Sequence, residues 1–105
     1  MKRRSKIDIV AQILQVVHSD EHDQISKNKI RYKAFIPHLQ IQKHLLNLVE
    51  NGLLNYDQKQ RDYKVTEKGI LFIQAYNKLK EYIDVESFEE KNFQSPPTAI
   101  IKNTN

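Results

Sequence analysis

The chain contains no cysteine and only two glycines among its 105 residues. Without thiols it forms no disulfide, builds no thiolate metal site and offers no cysteine nucleophile, a pattern that fits an intracellular protein. Two glycines cannot furnish the glycine-rich loop that cradles a nucleotide phosphate, and no nucleophile stands beside a base in the pattern, so no catalytic residue is assigned and no enzyme is expected. Apolar residues nowhere run for the roughly 18 positions a membrane span needs, and no membrane partner is expected. The N-terminal MKRRSKIDIV is basic, but the apolar residues that follow are broken by Asp8 and Gln12, so a secretory signal is not expected.

What is present is charge. The formal net charge is +4, and it is unevenly spread: residues 1–34 hold eight Lys and Arg against four acids, while Asp84, Glu86, Glu89 and Glu90 cluster toward the other end. A basic half and an acidic tail point to a polyanionic partner, with nucleic acid as the leading candidate. The apolar fraction of 39% suffices for one domain with a modest core.

From Ser5 to His18, the residues Ile7, Val10, Ala11, Leu14 and Val17 form a helical stripe that Ile9, Ile13 and Val16 widen. A stripe this broad belongs to a helix packed on several neighbours, with Ser5 as its cap and Asp8 favoured in the first turn by the helix dipole. Ser19 to Gln24 reads as a polar loop. Ser26 then caps a second helix that turns Ile30, Ala34 and Phe35 inward and Lys27, Lys29, Arg31 and Lys33 outward. Ile36-Pro37 closes that helix and opens the next, about Pro37 to Asn51, which Gly52 stops. At about 100° per residue, Ile41, Leu45, Leu48 and Val49 share the core arc of this third helix, and Leu39, Gln40, Gln42, Lys43, Leu46, Asn47 and Glu50 share the opposite one.

Leu54 and Tyr56, then Tyr63 and Val65, alternate with polar residues on either side of a turn from Asp57 to Asp62. This predicts a two-stranded hairpin carrying Lys59, Gln60 and Arg61 at its tip and leaning on the helices through Leu53, Tyr56, Tyr63 and Val65. Thr66 and Glu67 open a fourth helix containing Ile70, Phe72, Ile73, Tyr76, Leu79 and Ile83. Phe72, Tyr76, Leu79 and Ile83 are spaced four, three and four apart, which predicts a coiled-coil dimer seam. Residues 1–84 are thus read as one domain and 85–105 as an acidic, then polar, flexible tail.

Two short helices joined at a steep angle, a recognition-type helix, a hairpin and a closing helix predict a mainly α winged helix-turn-helix fold. RSKIDIVAQIL (Arg4 to Leu14), IRYKAFI (Ile30 to Ile36), HLQIQKHL (His38 to Leu45), LVENGLL (Leu48 to Leu54) and TEKG (Thr66 to Gly69) carry a resemblance across about residues 4–80. The chain resembles the archaeal winged helix-turn-helix DNA-binding family that includes ArnR-type regulators and small basic chromatin-type proteins. Phe35 and Pro37 stand where that family usually has polar residues. The resemblance implies double-stranded DNA as partner, no cofactor, and a homodimer formed through an antiparallel coiled coil of the last helices.

Phosphate contacts are expected from Arg3, Arg4, Lys6, Lys29, Arg31, Lys33, Lys59 and Arg61, with Gln60 beside them at the tip. Base contacts are expected from Gln40, Gln42, Lys43 and Asn47, with His38 near the helix start. A transcription regulator or a nucleoid-associated protein of the cytoplasm follows. The competing class is a protein-interaction winged helix that does not touch DNA, suggested by Leu39 and Leu46 on the outward arc. His18 and His22, with Asp20 and Asp23, have the four-residue spacing of a shared helix face, but the intervening SDE falls where the first helix ends and no third ligand follows. No metal site is expected. The tyrosines at 32, 56, 63, 76 and 82 read as core edge and wing packing.

Overall fold

The computed structural model describes residues 4–22 and 24–83; Arg3 and the expected tail at 85–105 lie outside them. Seven elements follow in order: α1 (Lys6–His18), β1 (Ile25–Ser26), α2 (Lys27–Ala34), α3 (His38–Glu50), β2 (Leu54–Asp57), β3 (Asp62–Val65) and α4 (Glu67–Lys80). None of the helices among the described residues is long and apolar enough to cross a membrane.

Local chemistry sets the helix ends. The Ser5 hydroxyl accepts from Asp8 N at 3.1 Å, Ser26 from Lys29 N at 3.3 Å, and Thr66 from Gly69 N at 3.0 Å, each satisfying an amide that the first turn leaves unpaired. Pro37 precedes α3 and supplies no side-chain cap, but its carbonyl accepts from Gln40 N and Ile41 N. At the other end of α3, Gly52 N donates to Val49 O and Leu53 N to Leu48 O, with Gly52 at φ +75°. This is a Schellman close, which requires a left-handed residue at the glycine position.

α2 closes the same way without a glycine. Phe35 occupies the left-handed region at φ 55°, Phe35 N donating to Tyr32 O and Ile36 N to Arg31 O. The geometry throws the Phe35 ring outward to 78% exposure while Ile36 is buried. The expected inward role of Phe35 is therefore corrected: the turn decides its direction, not its apolarity. Three of the tyrosines read as packing residues, Tyr32, Tyr56 and Tyr82, are likewise exposed.

α1 is the hub, packed on α2, α4 and β3. Ile13, Leu14 and Val17 meet Ile30 and Ala34 of α2, Ile41, Leu45 and Leu48 of α3, and Leu54, Tyr63 and Ile73 beyond them. A smaller cluster joins Ala11 to Tyr76, with Ile7, Phe72 and Ile83 against it. Burying a Leu or Ile side chain stabilises by roughly 1.5–3 kcal/mol, so these residues hold the helices in place.

The wing has three strands rather than the expected two. The order is β1-β3-β2, all antiparallel, with Ile25 opposite Tyr63 and Ser26 opposite Asp62 on one side of β3, and Leu54 opposite Val65 and Tyr56 opposite Tyr63 on the other. The turn follows from Asp57: its carboxylate accepts from Lys59 N and Gln60 N, its carbonyl accepts from Arg61 N at 2.7 Å, and Arg61 takes φ 58°.

The TEKG segment welds the wing's exit to the end of α3. Thr66 Oγ1 donates to Gly52 O at 2.6 Å, Thr66 N to Leu53 O at 3.1 Å, and Lys68 Nζ to Asn51 O at 2.9 Å. Gly69 lies so close to the Leu53 carbonyl that a Cβ there would overlap it.

The seam expected on α4 is also corrected. Tyr76 is only 8% exposed and its hydroxyl donates to Asp8 of α1, while Phe72 and Ile83 pack into the same cluster. Of the four seam residues only Leu79 is exposed. The four-three-four spacing marks the face of α4 that packs on α1. The apolar side chains left outside are Leu79 at the edge of that face, Leu71 about a quarter turn from it, and Tyr82 just beyond the helix end.

Candidate nucleic-acid interface

One groove brings together the start of α2, part of the outward arc of α3 and the wing. Residues 24–65, which contain all three, hold eight Lys and Arg against three acids. Lys27, Asn28 and Ser26 at the start of α2, Gln42 and Leu46 of α3, and Tyr56, Gln58 and Arg61 of the wing line an open groove of about 730 Å³ between the helices and the hairpin. Such a surface sets positive charge beside the outward arc of a helix whose opposite arc, through Ile41, Leu45 and Leu48, is held in the core.

The expected site residues occupy this face unequally. His38, Gln40, Lys43 and Asn47 on α3, Lys29 and Lys33 on α2, and Lys59, Gln60 and Arg61 at the tip are all exposed. Lys29 also reaches the buried Asp20 carboxylate at 3.7 Å. Arg31 is half-buried, and its Nε–H is covered without an acceptor. Gln42 leans toward its neighbours: its Oε1 accepts from Lys27 Nζ at 3.3 Å and it is hydrogen-bonded to Tyr63. Asn47 accepts from Asn51 Nδ2 through both Oδ1, at 2.7 Å, and its carbonyl, at 2.8 Å.

Arg4 stands apart. Its Nη1 donates to Gln12 Oε1 at 2.6 Å and Ala34 O at 2.7 Å, and its Nη2 to Phe35 O at 2.7 Å. The guanidinium thus caps the carbonyl end of α2, where a cation complements the helix dipole. Its planar fork is occupied within the protein.

Titration reports the local field. His44 of α3 is half-buried and its pKa is lowered, first by burial and then by the nearby charges of Lys43, Lys6 and Arg4. The Tyr63 hydroxyl is pushed up by burial and by Tyr56, against the opposing effect of its Gln42 hydrogen bond. It therefore stays a neutral polar group in the groove wall, where its ring meets Tyr56 at 4.8 Å between centroids.

Sequence reasoning leaves Lys27, Asn28, Tyr56 and Gln58 out of the site. Lys27 and Asn28 reach it because β1 pairs with β3 and brings the start of α2 beside the wing, which no local pattern announces. Among the described residues no group of three or more His, Asp or Glu is placed to hold a metal ion.

Four helices, a helix-turn-helix corner and a small antiparallel sheet whose hairpin flanks α3 define a winged helix-turn-helix domain. The chain belongs to the winged helix-turn-helix family, whose model matches residues 3–84. Among solved structures it is similar to Sso10a-2, a DNA-binding protein from Sulfolobus solfataricus, at 26% identity and a TM-score of 0.61, over 97% of this chain and 100% of that one. It is also similar in fold to a MepR mutant from a multidrug-resistant S. aureus clinical isolate, at 16% identity and a TM-score of 0.57, over 100% of this chain and 88% of that one. No significant match was found among curated proteins.

Proposed function

We propose that the protein binds duplex DNA as a transcription regulator or nucleoid-associated protein of the cytoplasm, α3 entering the major groove and the wing tip touching backbone or minor groove. The observation that carries this reading is the groove that brings Lys27 of α2, Gln42 and Leu46 of α3 and Arg61 of the wing together, with Lys43 of α3 and Lys59 of the wing tip exposed. The likeness to a Sulfolobus DNA-binding protein supports it. Phosphates supply the first, sequence-independent attraction, and exposed side chains of α3 meet base edges.

The test is a salt titration of binding to a duplex with wild type, Lys43→Glu and Arg61→Glu. Each variant is expected to weaken binding and to reduce the log–log salt slope by about 0.9 for every phosphate that is no longer neutralised. Unchanged affinity in both refutes the docking face.

The same reading includes a homodimer through α4. Leu71 and Tyr82 are 61% and 71% exposed, and with Ala75 and Leu79 they leave an uncovered apolar flank on α4 and just beyond its end, beside the face that packs on α1. Sedimentation of wild type beside a Leu71→Glu, Tyr82→Glu double variant is expected to show a dimer and a monomer respectively. A wild-type monomer at micromolar concentration overturns the dimer.

A further inference from the structure

Two of the polar side chains of α3 suited to reading bases, Gln42 and Asn47, are partly committed elsewhere, while Gln40 is exposed. A Gln or Asn specifies adenine by presenting its amide to two base-edge atoms at once. Gln42 shares its amide with Lys27 and Tyr63, and Asn47 holds Asn51 at the end of the helix. In each, one acceptor position of the amide oxygen is already filled within the protein, which restricts the orientations open to a bidentate pairing.

Two apolar side chains stand on that same arc. Leu39 is 90% exposed and Leu46 is 53% exposed. Seven residues of α-helix turn about 700°, so the two point within about 20° of each other, and they are separated by about 10.5 Å along the axis. Successive bases of one DNA strand rise about 3.4 Å, so this separation matches about three base-pair steps. Lys43 is exposed between the two leucines along the helix axis, and Lys27 and Arg61 line the groove that Leu46 enters, so the apolar pair has cationic neighbours suited to a polyanion. The one apolar group that DNA displays in its major groove is the C5-methyl of thymine.

Resting on the DNA-binding reading above, we infer that Leu39 and Leu46 read thymine C5-methyl groups about three base pairs apart, making apolar contact the main sequence signal from α3. Lys43 anchors the helix on the phosphates between them, and Gln42 positions the helix against α2 and the wing. Covering one methyl in this way is worth about fourfold in affinity.

The experiment compares an A·T-rich duplex with the same duplex in which every thymine is replaced by deoxyuridine, which removes the C5-methyl and leaves the pairing edge unchanged. Binding is followed by fluorescence anisotropy at two salt concentrations, for wild type and a Leu39→Ala, Leu46→Ala double variant. Both leucines are exposed, so the variant is expected to keep the wild-type melting temperature, which is measured alongside. Wild type is expected to bind the thymine duplex about 4- to 16-fold more tightly, for one or two methyls covered. The double variant is expected to bind both duplexes alike with an unchanged salt slope. A duplex keeping two thymines three steps apart is expected to retain most of the preference, and one keeping them adjacent to retain no more than the roughly fourfold of a single methyl. Equal wild-type affinity for thymine and uracil duplexes, with salt-sensitive binding retained, overturns the methyl reading and leaves the DNA-binding reading standing. Absence of salt-sensitive binding to either duplex overturns both.

Discussion

Replacing Gly69 with alanine tests how α4 is attached to the rest of the domain. In an exposed helix interior the change would stabilise by about 1 kcal/mol, because alanine is the better helix former. At position 69 the added methyl would stand 2.6 Å from Val65 Cγ1 and nearer still to the Leu53 carbonyl oxygen. That carbonyl accepts from Thr66 N at 3.1 Å, so it cannot retreat without releasing the cap residue. α4 must move instead, which stretches the Thr66 bond to Gly52 O and the Lys68 bond to Asn51 O. Overpacking of this kind costs about 1–3 kcal/mol, and each weakened hydrogen bond adds about 1 kcal/mol. After subtracting the propensity gain, the net loss is about 2–4 kcal/mol, or roughly 10–30 °C in melting temperature for a domain of this size. Thermal and urea unfolding followed by circular dichroism measure it, with Gln74→Ala on the exposed side of α4 as a control expected to change little. A Gly69→Ala protein that melts at or above the wild-type temperature refutes the weld.

Arg4→Ala removes the cap on two α2 carbonyls and the bond to Gln12; a loss of about 2 kcal/mol is expected in urea unfolding, and an unchanged midpoint would return Arg4 to the pool of phosphate-binding side chains. Phe35→Gly relieves a left-handed backbone at an exposed site, so a rise of about 0.5–1 kcal/mol in stability is expected from the same measurement; a fall would show that the ring packs. His44 has a folded pKa below its unfolded value of about 6.5. Its contribution to stability is therefore full above about pH 6.5 and is lost as pH falls from there through the folded value. Melting temperatures between pH 7.5 and 5 are expected to fall less steeply for His44→Gln than for wild type, and parallel curves would remove His44 from the account.

The helix boundaries are legible in the sequence because their causes are local. Ser5, Ser26 and Thr66 each lie three residues before the amide they satisfy, and Gly52 lies where a chain must turn left-handed. β1 is not legible, since two residues carry no period and Ile25 becomes a strand only by meeting Tyr63, 38 positions away. The face of α4 misleads for a related reason: a four-three-four stripe serves a coiled coil and an intramolecular helix pair equally well, and the partner, Asp8 on α1, lies 68 positions away. Phe35 and Arg4 show the limit of reading by residue type. Type alone sends a phenylalanine to the core and an arginine to phosphate, yet the backbone turn throws one outward and the open carbonyls of α2 recruit the other. The exposed polar arc of α3 is legible, but the internal commitments of Gln42 and Asn47 depend on Lys27, Tyr63 and Asn51 and emerge only in three dimensions.

Ser26 ends β1 and caps α2 within a single residue. The hairpin therefore cannot swing on the helices as a loose flap does, because a displacement of β3 drags its partner strand and uncaps the helix that β1 feeds. On the docking proposed above, wing tip and α3 meet DNA as one stiff stamp with a fixed spacing. Little internal freedom remains to be lost on contact, which favours affinity, and a duplex whose groove width does not match the stamp must itself bend to fit.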